Sequence, residues 1–147
     1  KKPYSTSKSH KIFRQAIQQA TQSTGYNYAS CLHEMIVTSP LGIVPRELEL
    51  VYPAQQYDIP VTGHWFEDEL QMIKECIIKY LSSNHYDHIV IHLPGQLGEF
   101  VENVMKDANL RHEVNRTCTN SATDKDSLNR LTKELKILLE NCALRAF

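Results

Sequence analysis

Ile89-Val90-Ile91-His92-Leu93 is an apolar run broken only by His92. A run this short and this rich in β-branched residues reads as a buried strand. Helical periodicity on both sides of it is the feature that most constrains the fold. Before it, Phe66, Leu70, Ile73, Ile77 and Leu81 recur at spacings of three and four, predicting a helix over about 65–81. Glu67, Asp68 and Glu69 crowd its first turn, where they suit the positive end of the helix dipole. After the strand, Pro94-Gly95 opens a helix over about 97–108, with Leu97, Phe100, Val101 and Val104 facing inward. Met35-Ile36-Val37 reads as a second strand and Arg111–Thr117 as a third. A first helix runs from about Ser9, its expected N-cap, to Thr21, with Ile12, Phe13, Ala16, Ile17 and Ala20 on one face and Gly25 as its stop. The last helix covers about 127–143, and its narrow seam of Leu128, Leu131, Leu135, Leu138 and Cys142 is expected to pack on the sheet, with a partner helix as the alternative. Strands alternating with helices imply an α/β fold of three layers, a short parallel sheet flanked by helices. In such sheets ligands bind beyond the carboxyl ends of the strands.

Composition narrows the function classes. A chain of 147 residues is expected to form one domain, 1–147. Hydrophobic residues at 41% and charged residues at 22% fit a globular protein. No apolar run approaches the roughly 20 residues a membrane span needs, and Lys1-Lys2-Pro3-Tyr4 leads into polar residues instead of an apolar stretch. The expectation is a soluble, cytoplasmic protein with no membrane partner. The four cysteines, Cys31, Cys76, Cys118 and Cys142, include no Cys-x-x-Cys pair. Cys76 and Cys142 fall within helical apolar patterns and read as buried small hydrophobes. His33, His64, His85, His88 and His112 show no metal-ligand spacing, and there is no Walker A loop or Gly-x-Gly-x-x-Gly. No metal and no cofactor are expected. Net charge is −1, yet five cations precede the first acid, Glu34. That basic stretch reads either as a phosphate contact or as a solvated helix face.

Two segments and one histidine concentrate groups that do chemistry. Ser39 to Gly63 holds Pro40, Pro45, Pro53 and Pro60 with Gly42 and Gly63, and such a long loop in a compact domain is often functional. Prolines and glycines fix its path, so Arg46, Glu47 and Asp58 sit on a stiff frame. A guanidinium offers a planar fork to a carboxylate or phosphate, and a carboxylate orients an ammonium or accepts a proton. The alternative is a structural loop closed by an Arg46–Glu47 or Arg46–Asp58 ion pair. The second segment, Lys2-Pro3-Tyr4-Ser5-Thr6-Ser7-Lys8-Ser9-His10, gathers proton-handling side chains. Its alternative is a polar leader into a capped helix. His92 lies near the carboxyl end of a strand, where ligands bind.

Together these two segments resemble the archaeosine synthases, relatives of the archaeal tRNA-guanine transglycosylases. Lys2-Pro3-Tyr4, Ser7 and His10 match the signature that separates the synthases from the transglycosylases, and SPLGIVPRELELVYPAQQYDIPVTG looks like the family's other hallmark. The match is strong over residues 2 to about 65 and beyond that rests on the order of elements. In that family a Pro-Cys pair precedes the Lys-Pro-Tyr motif, at positions that would lie before Lys1. Transglycosylase-like and PUA RNA-binding domains of full-length members are not within 1–147.

The resemblance implies a uracil-DNA-glycosylase-like fold and a tRNA-modifying transferase. It implies that the ε-amine of free lysine adds to the nitrile of 7-cyano-7-deazaguanine at tRNA position 15, giving an amidine that a radical SAM partner enzyme converts to archaeosine. A homodimer is compatible with it. On this reading Tyr4, Ser7 and His10 line the nitrile and shuttle protons. Arg46 holds the carboxylate of the lysine, and Glu47 and Asp58 hold its ammonium groups or act as base. Lys2, Ser39, Tyr57, Thr62 and His92 complete the substrate contacts. Two other readings stand beside it: a non-catalytic tRNA-binding or assembly module of a split enzyme, and, by fold analogy alone, a base-recognising hydrolase.

Overall fold

The structure is a computed structural model that describes residues 8–23, 32–38, 42–45, 67–107 and 113–145. Its elements are α1 (Lys8–Ser23), β1 (Met35–Thr38), β2 (Gly42–Pro45), α2 (Glu67–Ser83), β3 (His88–Ile91), α3 (Gly95–Asp107), β4 (Glu113–Arg116) and α4 (Lys125–Arg145). The chain is α/β, with four helices and two small sheets among the described residues.

The sheets refine the expected single parallel sheet. β3 and β4 pair in parallel, with Ile89 opposite Val114 and Ile91 opposite Arg116. β1 instead pairs antiparallel with β2, Val37 opposite Ile43. β2 lies inside the segment read as one long loop. Its flanking Gly42 and Pro45 look like turn residues and leave only Ile43-Val44 as an apolar signal, while the short 39–41 connection suits a hairpin.

Period-2 alternation divides β3 between two helix pairs. On one face Ile91, with Ile89 and Val114 beside it, packs with Ile73 and Ile77 of α2 and with Leu97, Val101 and Val104 of α3. Val37 and Ile43 of the hairpin join this cluster. On the other face Val90 packs against Ala16 and Ala20 of α1 and Leu131 and Leu135 of α4. The two alanines, one turn apart, let α1 lie close to α4.

Helix ends differ from the sequence reading for local reasons. α1 begins at Lys8, so Ser9 lies within the helix and is not its cap. α4 begins at Lys125 because Asp124 caps it: the Ser127 amide donates to Asp124 Oδ1 at 2.9 Å. The buried row of α4 is Leu131, Leu135 and Leu139, with Leu138 only half-buried. Cys76 is likewise half-buried, whereas Cys118 is buried.

At the amino ends of β3 and β4, His85 pairs with Asp87 at 3.3 Å. There His88 Nδ1 stands 3.0 Å from Glu113 Oε2 without the alignment of a hydrogen bond. Tyr80 and Tyr86 stack with ring centroids 6.3 Å apart and join hydroxyls at 2.9 Å. His33 Nδ1 adds a 2.7 Å bond to Tyr86 Oη, tying the chain just before β1 to the α2–β3 connection.

Candidate active site

The carboxyl ends of the parallel pair are built from three segments. The first is His92-Leu93-Pro94, leaving β3 for α3. The second is Thr117-Cys118-Thr119, leaving β4, and the third is Ser121 to Asp124, leading into α4. Gly95 makes the turn into α3 with φ +62°, a backbone conformation that costs a glycine little. Its amide donates to the Thr119 carbonyl, which joins the two strand exits. The Thr117 amide donates to the Ile91 carbonyl at 3.1 Å, extending the ladder one step beyond β4.

Alternation continues past the strands. His92, two residues after Val90, falls on the α1/α4 side, and so does Thr117, two after Asn115, whose amide donates to Glu134 of α4 at 2.9 Å. His92 has both ring nitrogens engaged: Nδ1 lies 2.7 Å from Thr117 Oγ1 and Nε2 lies 2.7 Å from the Ala122 carbonyl. A carbonyl only accepts, so Nε2 carries a proton, and in the neutral ring Nδ1 accepts from the Thr117 hydroxyl. Phe13 of α1 meets the imidazole edge-on, centroids 5.3 Å apart at 80°. Burial lowers the His92 pKa below its ordinary 6.5, against the upward pull of the Ala122 carbonyl and Asp124.

Arg116 ends β4 on the opposite side. Its Nη2 reaches the Leu93 carbonyl at 3.5 Å, and its Nε is out of water and bonded to nothing. A Cβ on Gly98 would stand 2.7 Å from that Nη2 and would run into the Leu93 carbonyl. Glycine is therefore what lets the guanidinium lie against the first turn of α3. Cys118 is 1% exposed. Burial pushes its thiol up, Arg116 and Arg130 draw it down and Asp124 raises it, so it is poorly poised to act as a thiolate.

Of the residues assigned from sequence, His92 is described in full, and it stands at the strand end as expected. His10 lies in the first turn of α1, three residues before Phe13. Lys2, Tyr4, Ser7, Ser39, Arg46, Glu47, Tyr57, Asp58 and Thr62 lie outside the described residues, as does Gly25. Arg116 and Thr117 were not singled out by the sequence reading. The available signal was their place at the carboxyl end of a parallel strand. No group of three or more His, Cys, Asp or Glu side chains suited to a metal occurs among the described residues. Nor is any described helix long and apolar enough to cross a membrane.

Comparison with known proteins gives this geometry a context. The sequence pattern of a family described as "Domain of unknown function (DUF5591)" matches residues 1–135. The archaeosine synthase subunit alpha of Methanosarcina acetivorans is 41% identical over 94% of this chain and 20% of that protein. The archaeosine synthase of Haloferax volcanii is 41% identical over 92% of this chain and 21% of that protein. A more distant relative, the tRNA-guanine(15) transglycosylase of Methanobrevibacter smithii, is 28% identical over 63% of this chain. The chain thus spans about a fifth of the length of the synthases it matches. Among solved structures, the crystal structure of AF0587, a protein of unknown function, superposes with a TM-score of 0.67 at 26% identity, over 92% of this chain and 41% of that one. The chain therefore belongs to the DUF5591 family and is a homologue of one segment of the archaeosine synthases.

Proposed function

We propose that this chain is the lysine-transfer core of an archaeosine-forming tRNA modification enzyme, working in the cytoplasm. The observation that carries this reading is the 41% identity to archaeosine synthases over more than nine-tenths of the chain. The substrate is tRNA carrying 7-cyano-7-deazaguanine at position 15, and the co-substrate is free lysine. The lysine ε-nitrogen forms a bond to the nitrile carbon as one C–N π bond opens. The proton lost by the amine ends on the former nitrile nitrogen, so an amidine forms with no leaving group. A nitrile is already activated, and the step needs no ATP.

The step makes two physical demands. The amine must be neutral, which a base or a desolvated pocket provides. The developing imine nitrogen needs a hydrogen-bond donor. Glu47 and Asp58 take the first task, and Tyr4, Ser7 and His10 the second. Arg46 receives the lysine carboxylate in a bidentate pairing. Lys2, Ser39, Tyr57 and Thr62 complete the substrate contacts, and His92 stands just after the end of β3. A uracil-DNA-glycosylase-like three-layer arrangement, a single domain over 1–147, a radical SAM partner that completes archaeosine and a homodimeric state belong to the same reading.

The test mixes full-length protein, lysine and tRNA bearing the 7-cyano base, and analyses the nucleosides by mass. A lysine adduct at position 15 is expected. Retention of tRNA without an adduct would favour a non-catalytic binding or assembly module.

A further inference from the structure

We propose that Thr117 is a positioning residue: with the Ala122 carbonyl it locks the His92 ring, and the locked ring is the stop that sets the amino-terminal half of α1 over the carboxyl ends of β3 and β4. Its effect on adduct formation rests on the lysine-transfer reading above; the lock itself does not.

Three observations converge. First, the fully buried α1 side chains against Leu131 and Leu135 of α4 are Ala16 and Ala20, with Ile17 and Leu128 only partly buried beside them. Alanines bury well but give low relief, so they add little to fixing the sliding position of the helix. Second, Phe13 adds relief one turn nearer the amino end of α1, where it meets the His92 ring edge-on at 5.3 Å. Third, that ring is not free to turn. Rotation about its Cβ–Cγ bond would break two short hydrogen bonds at once, Nδ1 to Thr117 Oγ1 and Nε2 to the Ala122 carbonyl, both 2.7 Å. In a half-buried setting the broken partners would find little water in exchange.

The partners come from separate parts of the chain. His92 follows β3, Thr117 follows β4, and Ala122 precedes α4, where Ser121 Oγ accepts from the Thr123 and Asp124 amides at 3.3 and 3.2 Å. The ring thus joins both strand exits and the entry of α4 to one face of α1. His10 is a single turn from Phe13, about 4.5 Å along the axis by helical rise, and Tyr4 and Ser7 immediately precede the helix. A histidine whose nitrogens are both committed inside the protein acts on α1, through Phe13, and not on substrate through a hydrogen bond.

The test reads the lock without substrate. Nitrogen-15 NMR of the full chain should find His92 in the Nε2–H tautomer at neutral pH. In Thr117→Val, hydrogen-exchange protection of the amides near Phe13 should fall at least tenfold, while those at Ile73 and Val101 keep theirs. Thr117→Ser, which retains the hydroxyl, should restore the wild-type pattern. In full-length protein Thr117→Val should lower kcat for adduct formation at least tenfold and leave KM for lysine within about twofold. An Nδ1–H tautomer, or a folded Thr117→Val with unchanged α1 protection, would overturn the proposal. If Thr117→Val does not fold, the wild-type tautomer and the Thr117→Ser exchange pattern decide. If the NMR and exchange results hold and no adduct ever forms, the lock stands and the lysine-transfer reading falls.

Discussion

Gly95 and Gly98 stand three residues apart in one turn of chain, and physics asks different things of them. At Gly95 the demand is on the backbone, with φ +62° and nothing within 4 Å of an added Cβ. Gly95→Ala should therefore cost about 1 kcal/mol, the strain of a side chain in the left-handed region. At Gly98 the demand is on space, because a Cβ would strike the Leu93 backbone and crowd Arg116. Gly98→Ala should cost about 3 kcal/mol, like other overpacked sites. Thermal unfolding should rank the two variants in that order. His92 makes a prediction in pH. Its folded pKa lies below the ordinary 6.5, so its contribution to stability is complete above about pH 6.5 and is lost as pH falls through the lowered value. The unfolding midpoint of wild type should drop more steeply below pH 6.5 than that of His92→Gln. His92 was legible as a site residue because a strand end can be read from an apolar run. Its partners were not, since Thr117 and Ala122 lie 25 and 30 residues away and only the pairing of β3 with β4 brings them together.

At the scale of elements, the four helices were legible because each carries its apolar residues at helical spacing over at least three turns. Their ends were less so. The start of α4 depends on Asp124, whose carboxylate accepts from the Ser127 amide. One aspartate in a polar stretch of Thr123-Asp124-Lys125-Asp126-Ser127 does not announce itself as the cap. Ser127 hydrogen bonds, side chain first and backbone second, hold the Asp124 pKa below its ordinary 3.8. The cap therefore stabilises fully above about pH 3.8 and is lost as pH falls through the lowered value. Asp124→Ala should lower the melting temperature at neutral pH, and the gap to wild type should close in strong acid. β2 escaped notice for a different reason. Two apolar residues between Gly42 and Pro45 are too few to show an alternation, and only the antiparallel partner β1 makes them a strand.

For the whole molecule the decisive fact is that β3 has a separate hydrophobic cluster on each face. Ile73 belongs to one and Leu135 to the other. Ile73→Val should cost about 1 kcal/mol and Leu135→Ala about 3 kcal/mol. Sharing no cluster, the two should add to within roughly 0.5 kcal/mol in the double variant, as measured by denaturant unfolding. A coupling well beyond that would mean the sheet transmits strain from face to face. The α/β class was readable from alternating periodicities. The antiparallel hairpin was not, because strand direction is a property of connections and not of composition.

The Thr117 hydroxyl has a single hydrogen and two acceptors within range, His92 Nδ1 at 2.7 Å and the Ile91 carbonyl at 3.4 Å. With His92 neutral, that hydrogen points to the imidazole, and the donors run in file from Thr117 through the ring to Ala122. When the imidazole takes up a proton, Nδ1 becomes a donor, the hydroxyl must swing toward Ile91, and the file then runs outward from the ring in both directions. One added proton thereby reverses the polarity of the His92–Thr117 side-chain contact, and the carbonyl stretch of Ile91 would report it in the infrared.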